Sequence, residues 1–134
     1  MSRIIQTLLL GSTMFCAWTF AAERIEHTKV PLDTVKKEVQ EKKAVLVDVR
    51  EKREWDRGHI AGAVLLPLSD IQQGVDPEKL ARLLPKDKII YAHCARGGRC
   101  LTAADLLKKN GYQIRPLKPG YKDLLQAGFE KAKE

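Results

Sequence analysis

Two short, almost uninterrupted apolar runs constrain the fold most: Ala44–Val49 (AVLVDV) and Lys88–His93 (KIIYAH). Neither alternates apolar with polar residues, so each reads as a strand covered on both faces, the situation of an inner strand in a parallel sheet. Parallel strands need crossover connections, and the sequence places helical segments between the runs. Pro31 and Asp33 open LDTVKKEVQEKK, with Leu32, Val35 and Val39 on one face. EKREWDRG reads as a short helix ending at Gly58, and Ala63–Leu66 as a second buried strand stopped by Pro67. Asp76 and Pro77 suit the cap and first position of a helix whose inner face is Leu80, Leu83 and Leu84. The amphipathic LTAADLLKKN closes at Gly111. Tyr112–Leu117 follows as a strand, then Tyr121–Ala127 as a final helix before Gly128. This alternation predicts a three-layer α/β fold with a mainly parallel sheet between helices.

The 134 residues suffice for one domain, and an apolar content of 44% with only 3 Cys excludes disordered, collagen-like and disulfide-dense classes. One apolar stretch, at the N-terminus, excludes a polytopic membrane protein. Residues 1–22 carry Arg3, no acidic residue, an apolar centre and small residues at Ala21 and Ala22, the layout of a secretory signal peptide. Gln6, Gly11 and Ser12 interrupt that centre and make it a poor permanent span. An uncleaved anchor or a cytosolic extension is the alternative; bulky Phe15 argues against a lipid anchor on Cys16. The expectation is an exported, periplasmic chain in which residues 23–134 form a single domain without a stable membrane anchor. Loss of residues 1–22 lowers the formal charge from +7 to +6 and leaves Cys94 and Cys100 as the thiols. The positive charge is dispersed and not interleaved with aromatics, which points to small anions and away from nucleic acid.

In an open parallel sheet, ligands bind beyond the C-terminal strand ends. Cys94 sits at such an end, after IIYAH and before a helix. The segment Cys94-Ala95-Arg96-Gly97-Gly98-Arg99 can curl so that successive backbone N–H groups converge on the sulfur, with Gly97 and Gly98 allowing the unusual dihedrals. The helix N-terminus, Arg96 and Arg99 add positive potential. All of these favour thiolate, the nucleophilic form. The competing readings are an inert Cys closing a strand, and a zinc site from His93, Cys94 and Cys100. The zinc reading lacks a fourth ligand, and neighbouring strand residues point to opposite faces.

At these residues the chain resembles the rhodanese family of single-domain sulfurtransferases over about residues 28–129. The resemblance rests on LVDVREKREWDRGHIAGAVLLP (Leu46–Pro67), CARGGR (Cys94–Arg99) and NGYQIRPLKPGYKDLLQAGF (Asn110–Phe129). It implies a five-stranded parallel sheet flanked by helices, and a ping-pong transfer without metal or organic cofactor. In that scheme Cys94 takes a sulfane sulfur from a small anionic donor such as thiosulfate and passes it to a thiophilic acceptor, cyanide or a thiol. The N–H groups of Ala95–Arg99 would cradle the persulfide, and Arg96 and Arg99 would assist the anionic donor. The loop is Cys-x4-Arg; related phosphatases and arsenate reductases look like they use one residue more, so the short loop suits a single sulfur.

The resemblance also marks departures. Cys100 stands where the family commonly has a small hydroxyl residue, and reads either as a resolving thiol for Cys94 or as a tolerated small residue. Pro119-Gly120 replaces a Gly pair, and Leu124 replaces a Trp. In the family pattern Asp48, Arg50 and His59 look structural, His93 is expected to point away from the loop, and Trp55 and Tyr91 read as core. Two further functions stay open beside sulfur transfer: a sulfur-carrying or partner-binding module, and a Cys94/Cys100 redox protein.

Overall fold

The computed structural model describes residues 22–134, so the expected signal peptide lies outside the described residues except for Ala22. In chain order the elements are α1 (Leu32–Gln40), β1 (Ala44–Asp48), α2 (Lys52–Asp56), β2 (Val64–Leu65) and α3 (Leu68–Gln73). They continue with α4 (Pro77–Leu83), β3 (Ile89–His93), α5 (Gly98–Lys108), β4 (Ile114–Pro116) and α6 (Tyr121–Gln126). The sheet runs β2-β1-β3-β4 with every pairing parallel. The two apolar runs become the two inner strands, in register from Ala44 beside Ile89 to Asp48 beside His93.

Strand alternation divides the core into two layers. Val47, Val49, Ile90, Ala92 and Cys94 face Ile71 of α3, Leu80 of α4 and Leu107 of α5. Leu46 and Tyr91 face the other way, onto Val35 of α1 and Leu124 of α6. This is the three-layer arrangement expected, with helices on both faces of a parallel sheet.

The expected caps form as chemistry dictates. Asp76 Oδ1 accepts the N–H groups of Glu78 (2.9 Å) and Lys79 (3.1 Å), with Pro77 in the first turn. Gly111, at φ +81°, ends α5 with its own N–H on Lys108 O and the Tyr112 N–H on Leu107 O, the paired bonds of a Schellman turn.

The structure corrects four expectations. The sheet has four strands among the described residues, not five. The chain before α1 passes the end of β4 but gives it a single backbone bond, Thr28 N to Pro116 O at 2.8 Å, before Pro31 leads into α1. One bond does not make a ladder. Helix α3 was not expected; its six residues offer one inward pair, Leu68 and Ile71, too short a signal for periodicity. Helix α5 begins at Gly98, inside the expected loop. Trp55 is not core: half-buried, it stacks on the His59 ring at 3.6 Å between centroids and 6° between planes.

Candidate active site

Everything at the C-terminal edge of β3 turns on how the chain leaves the sheet. Ala92 O still accepts Leu117 N–H at 2.8 Å, and Cys94 O accepts Tyr121 N–H at 2.9 Å, which fixes the backbone on both sides of the sulfur. Residues 95–97 then make a tight loop, and Gly97 adopts φ +89°, ψ −11° as the cap of α5. A side chain there would be strained by dihedral and space alike, since a Cβ would lie 2.6 Å from Lys118 O. Gly98 is helical, so only Gly97 uses the conformational freedom that both were expected to need.

This loop turns backbone N–H groups toward Cys94. The Gly97 N–H reaches the sulfur at 3.0 Å. The thiol is held down to about 5, first by the Cys100 thiol and then by the N–H groups of Cys100, Arg96 and Gly97, against burial, which pushes it up. At neutral pH Cys94 is therefore a thiolate. It is buried, with 1% exposure, at the floor of a cavity of about 380 Å³ lined also by Glu54, Ala95, Arg96, Gly98 and Arg99.

Cys100 sits in the first turn of α5, fully buried; it and Cys94 are both free thiols. Its Sγ lies 3.0 Å from Gly97 O and 3.2 Å from Leu117 O. It has one proton to give, so the Cys94 thiolate competes with those two carbonyls for it. Because the carbonyls are in direct contact, the backbone N–H groups are the firmer support of the thiolate. The neighbouring thiolate and burial push the Cys100 thiol far up, so Cys100 stays protonated. A neutral, buried thiol is a donor in this site and a poor resolving nucleophile.

The two loop arginines, expected to act alike, are separated. Arg99 forms a fork with Glu54, Nη1 to Oε2 at 2.6 Å and Nη2 to Oε1 at 2.8 Å. Arg96 is exposed and has no ion pair among the described residues. Glu54 carries no local signal of this role, because its partner lies 45 residues away. His27 was missed altogether. Its Nε2 lies 2.7 Å from Gly97 O, across 70 residues. A carbonyl only accepts, so Nε2 carries the proton. Gly120 packs directly behind the loop, where a Cβ would fall 1.8 Å from Ala95 O.

The tempting acid–base groups lie elsewhere. Arg50 binds Asp48 through Nε (3.0 Å to each oxygen), Nη2 (2.7 Å to Oδ2) and its own backbone N–H (3.0 Å). It also donates to Gly58 O at 2.9 Å and lies 4.1 Å above the Tyr121 ring. This buried pair ties the end of β1 to the loop before β2. His59 Nδ1 meets Trp55 O at 3.2 Å. His93 lies on the face away from Cys94, its Nε2 3.7 Å from Asp48 Oδ2, and burial lowers its pKa. Tyr91 is core, its hydroxyl 2.6 Å from Glu38. None of these lines the Cys94 cavity.

Fold and site together define an α/β domain built around an activated thiol at the carboxyl edge of a parallel sheet. Comparison with known proteins makes the assignment sharper: the chain belongs to the rhodanese-like domain family, whose profile matches residues 31–127. Among curated relatives, Bacillus subtilis YqhL, described as uncharacterized, is 40% identical over 82 residues, 60% of each chain. The putative sulfur carrier protein YrkF of Bacillus subtilis is 32% identical over 97 residues, 71% of this chain and 49% of YrkF. The probable adenylyltransferase/sulfurtransferase MoeZ of Mycobacterium tuberculosis is 42% identical over 71 residues, 53% of this chain and 17% of MoeZ. The chain thus spans less than two thirds of each of these relatives. Among solved structures, the human single-domain sulfurtransferase TSTD1 superposes with a TM-score of 0.62 at 26% identity, covering 72% of this chain and 94% of that one. A rhodanese-related protein from Thermoplasma volcanium gives 0.65 at 23% identity, covering 81% and 100%, a likeness of fold.

Proposed function

We propose that this chain is a sulfurtransferase whose Cys94 carries sulfane sulfur as a persulfide between a small anionic donor and a thiophilic acceptor. The carrying observation is the geometry at Cys94, whose sulfur accepts the Gly97 N–H at 3.0 Å in the turn into α5 and lines a cavity of about 380 Å³, a setting that holds the thiol down to about 5. With thiosulfate as donor, the Cys94 thiolate attacks the outer sulfur and the S–S bond of the donor breaks. Sulfite leaves with the bonding pair, and Cys94–S–S⁻ remains in the ring of N–H groups. An acceptor thiolate or cyanide then attacks the terminal sulfur and regenerates the Cys94 thiolate, so electrons balance without an external redox partner. The Gly97 N–H and the α5 terminus stabilise negative charge on sulfur before and after transfer. Arg96 is the cation free to draw the donor in.

Intact-protein mass spectrometry before and after thiosulfate tests this reading, with Cys94→Ser alongside. Gain of one sulfur atom by the wild type only, removed by cyanide, is the expected result; a Cys94–Cys100 disulfide or no gain overturns it. A carrier role, suggested by the likeness to the putative sulfur carrier YrkF, would show the same sulfur gain but a single transfer without turnover. Export is proposed on the composition of residues 1–22. It is tested by the N-terminal sequence of the protein recovered from a periplasmic fraction, expected to begin near residue 23; an intact Met1 in the cytosolic fraction sinks it.

A further inference from the structure

Resting on the reading of Cys94 as the sulfur-accepting thiolate, we propose that Glu54 sets the charge class of the donor. By neutralising Arg99, it fits the cavity to monoanionic sulfane donors, thiosulfonates and organic persulfides, in preference to the thiosulfate dianion.

Glu54 is not a loose surface acid. Besides the two bonds from Arg99, its Oε2 accepts the Glu51 N–H at 2.9 Å, and the Glu51 side chain is itself held by the Ser69 hydroxyl at 2.6 Å. The Glu54 and Arg99 side chains are 29% and 32% exposed, at the cavity wall. The Arg99 fork, helped by the Glu51 N–H, holds the Glu54 carboxyl down to about 2, so the pair stays fully charged and sums to zero at any working pH. What faces an incoming donor is therefore the Cys94 thiolate and a single uncommitted cation, Arg96. A dianion brings two charges to a site with one free counter-charge, whereas a monoanion is matched. The cavity, about 380 Å³ and bordered by Ala95 and Gly98, is larger than a five-atom oxyanion fills and leaves space for an organic group.

The chemistry balances in the same way for either donor. For a thiosulfonate, the Cys94 thiolate takes the terminal sulfur, the S–S bond breaks, and a sulfinate leaves with the electron pair. For an organic persulfide anion the leaving group is the thiolate.

The test uses the mature chain and Glu54→Gln, which keeps an acceptor for the Glu51 N–H while removing the charge. Two ratios are read: Cys94 alkylation by iodoacetate against iodoacetamide, and single-turnover sulfur loading from benzenethiosulfonate against thiosulfate. Wild type is expected to load faster from the thiosulfonate. Glu54→Gln should raise the iodoacetate-to-iodoacetamide ratio on the order of tenfold and cut the thiosulfonate preference by about as much. Glu54→Asp, which keeps the charge, should leave the alkylation ratio within about twofold of wild type. An unmoved alkylation ratio in Glu54→Gln, or an equal shift in Glu54→Asp, overturns the proposal. Should Glu54→Gln not fold, faster wild-type loading from thiosulfate than from benzenethiosulfonate overturns it as well. If the alkylation ratio rises and neither donor loads Cys94, the charge role of Glu54 stands and the sulfur-transfer reading falls.

Discussion

The Cys94 sulfur shows how neutral groups can stabilise a charge more firmly than formal ones. Its supports are three peptide N–H groups and, in competition with two carbonyls, the Cys100 thiol, all fixed by the turn into α5, while Arg99 of the same turn is spent on Glu54. A thiol depressed from the usual 9.0 to about 5 has two measurable consequences. Alkylation of Cys94 by iodoacetamide should rise through a midpoint near pH 5 and stay level to about pH 9, where an ordinary cysteine is still half protonated. A midpoint above about 8 would remove the thiolate from the mechanism. The second consequence is linkage. Between the two pKa values the unfolded state binds the proton and the folded state does not, so stability rises with pH from about 5 to about 9. Chemical denaturation of wild type against Cys94→Ala should show a rise common to both below about pH 6.5, where buried His93 must stay neutral, and a further rise from about 7 to about 9 in wild type alone. Cys100 divides the same way: Cys100→Ser keeps a hydrogen-bond donor and should hold the Cys94 midpoint within about one unit, while Cys100→Ala should raise it further. A midpoint that ignores Cys100→Ala would leave the support to the backbone alone.

At the scale of elements, the passage from β3 to α5 carries the site, and its glycines separate by what each must do. Gly97 needs a positive φ and a close approach to Lys118 O; Gly120 needs only the close approach, its φ of −93° being open to any residue. Gly98 needs neither, since it is helical and a Cβ there meets nothing within 4 Å. Gly97→Ala and Gly120→Ala should each destabilise by about 1–3 kcal/mol, whereas Gly98→Ala should stabilise by up to about 1 kcal/mol. Urea titration of the three variants checks the order, and equal losses at all three would contradict it. The same comparison shows what was legible in the sequence. Two apolar runs declared the inner strands, and Asp76-Pro77 and Gly111 declared helix ends, because each signal is complete within a few residues. Cys94 was legible because the strand end, the glycines and the arginines crowd into one segment. Glu54, His27 and Gly120 were not, because their roles exist only through partners brought close by folding. A fifth strand was expected by likeness alone, and the residues before Pro31 supply one bond where a ladder needs several.

Across the whole molecule, the segments before α1 and after α6 are each tied back to a loop of the domain, and one of these ties reaches the site. The tail closes onto the loop after α2, through Ala61 N to Glu130 O and Ala132 N to His59 O, each 2.8 Å. The segment before α1 reaches the loop after β3, where His27 donates to Gly97 O. That carbonyl belongs to the residue whose N–H supports Cys94 and also receives the Cys100 thiol, so the N-terminal segment braces the thiolate without touching it. A hydrogen bond of this kind contributes about 0.5–1.5 kcal/mol. A shift of one pKa unit corresponds to about 1.4 kcal/mol, so the Cys94 midpoint can move by up to about one unit when the brace is lost. His27→Ala should therefore raise the midpoint of Cys94 alkylation by a fraction of a unit to one unit. His27→Gln, whose amide can still donate, should recover part of that rise. A global loss of folding would lower the denaturation midpoint of both variants alike, whereas the brace predicts that they differ in the Cys94 titration. If His27→Ala titrates as wild type does, the N-terminal segment is packing and not part of the site.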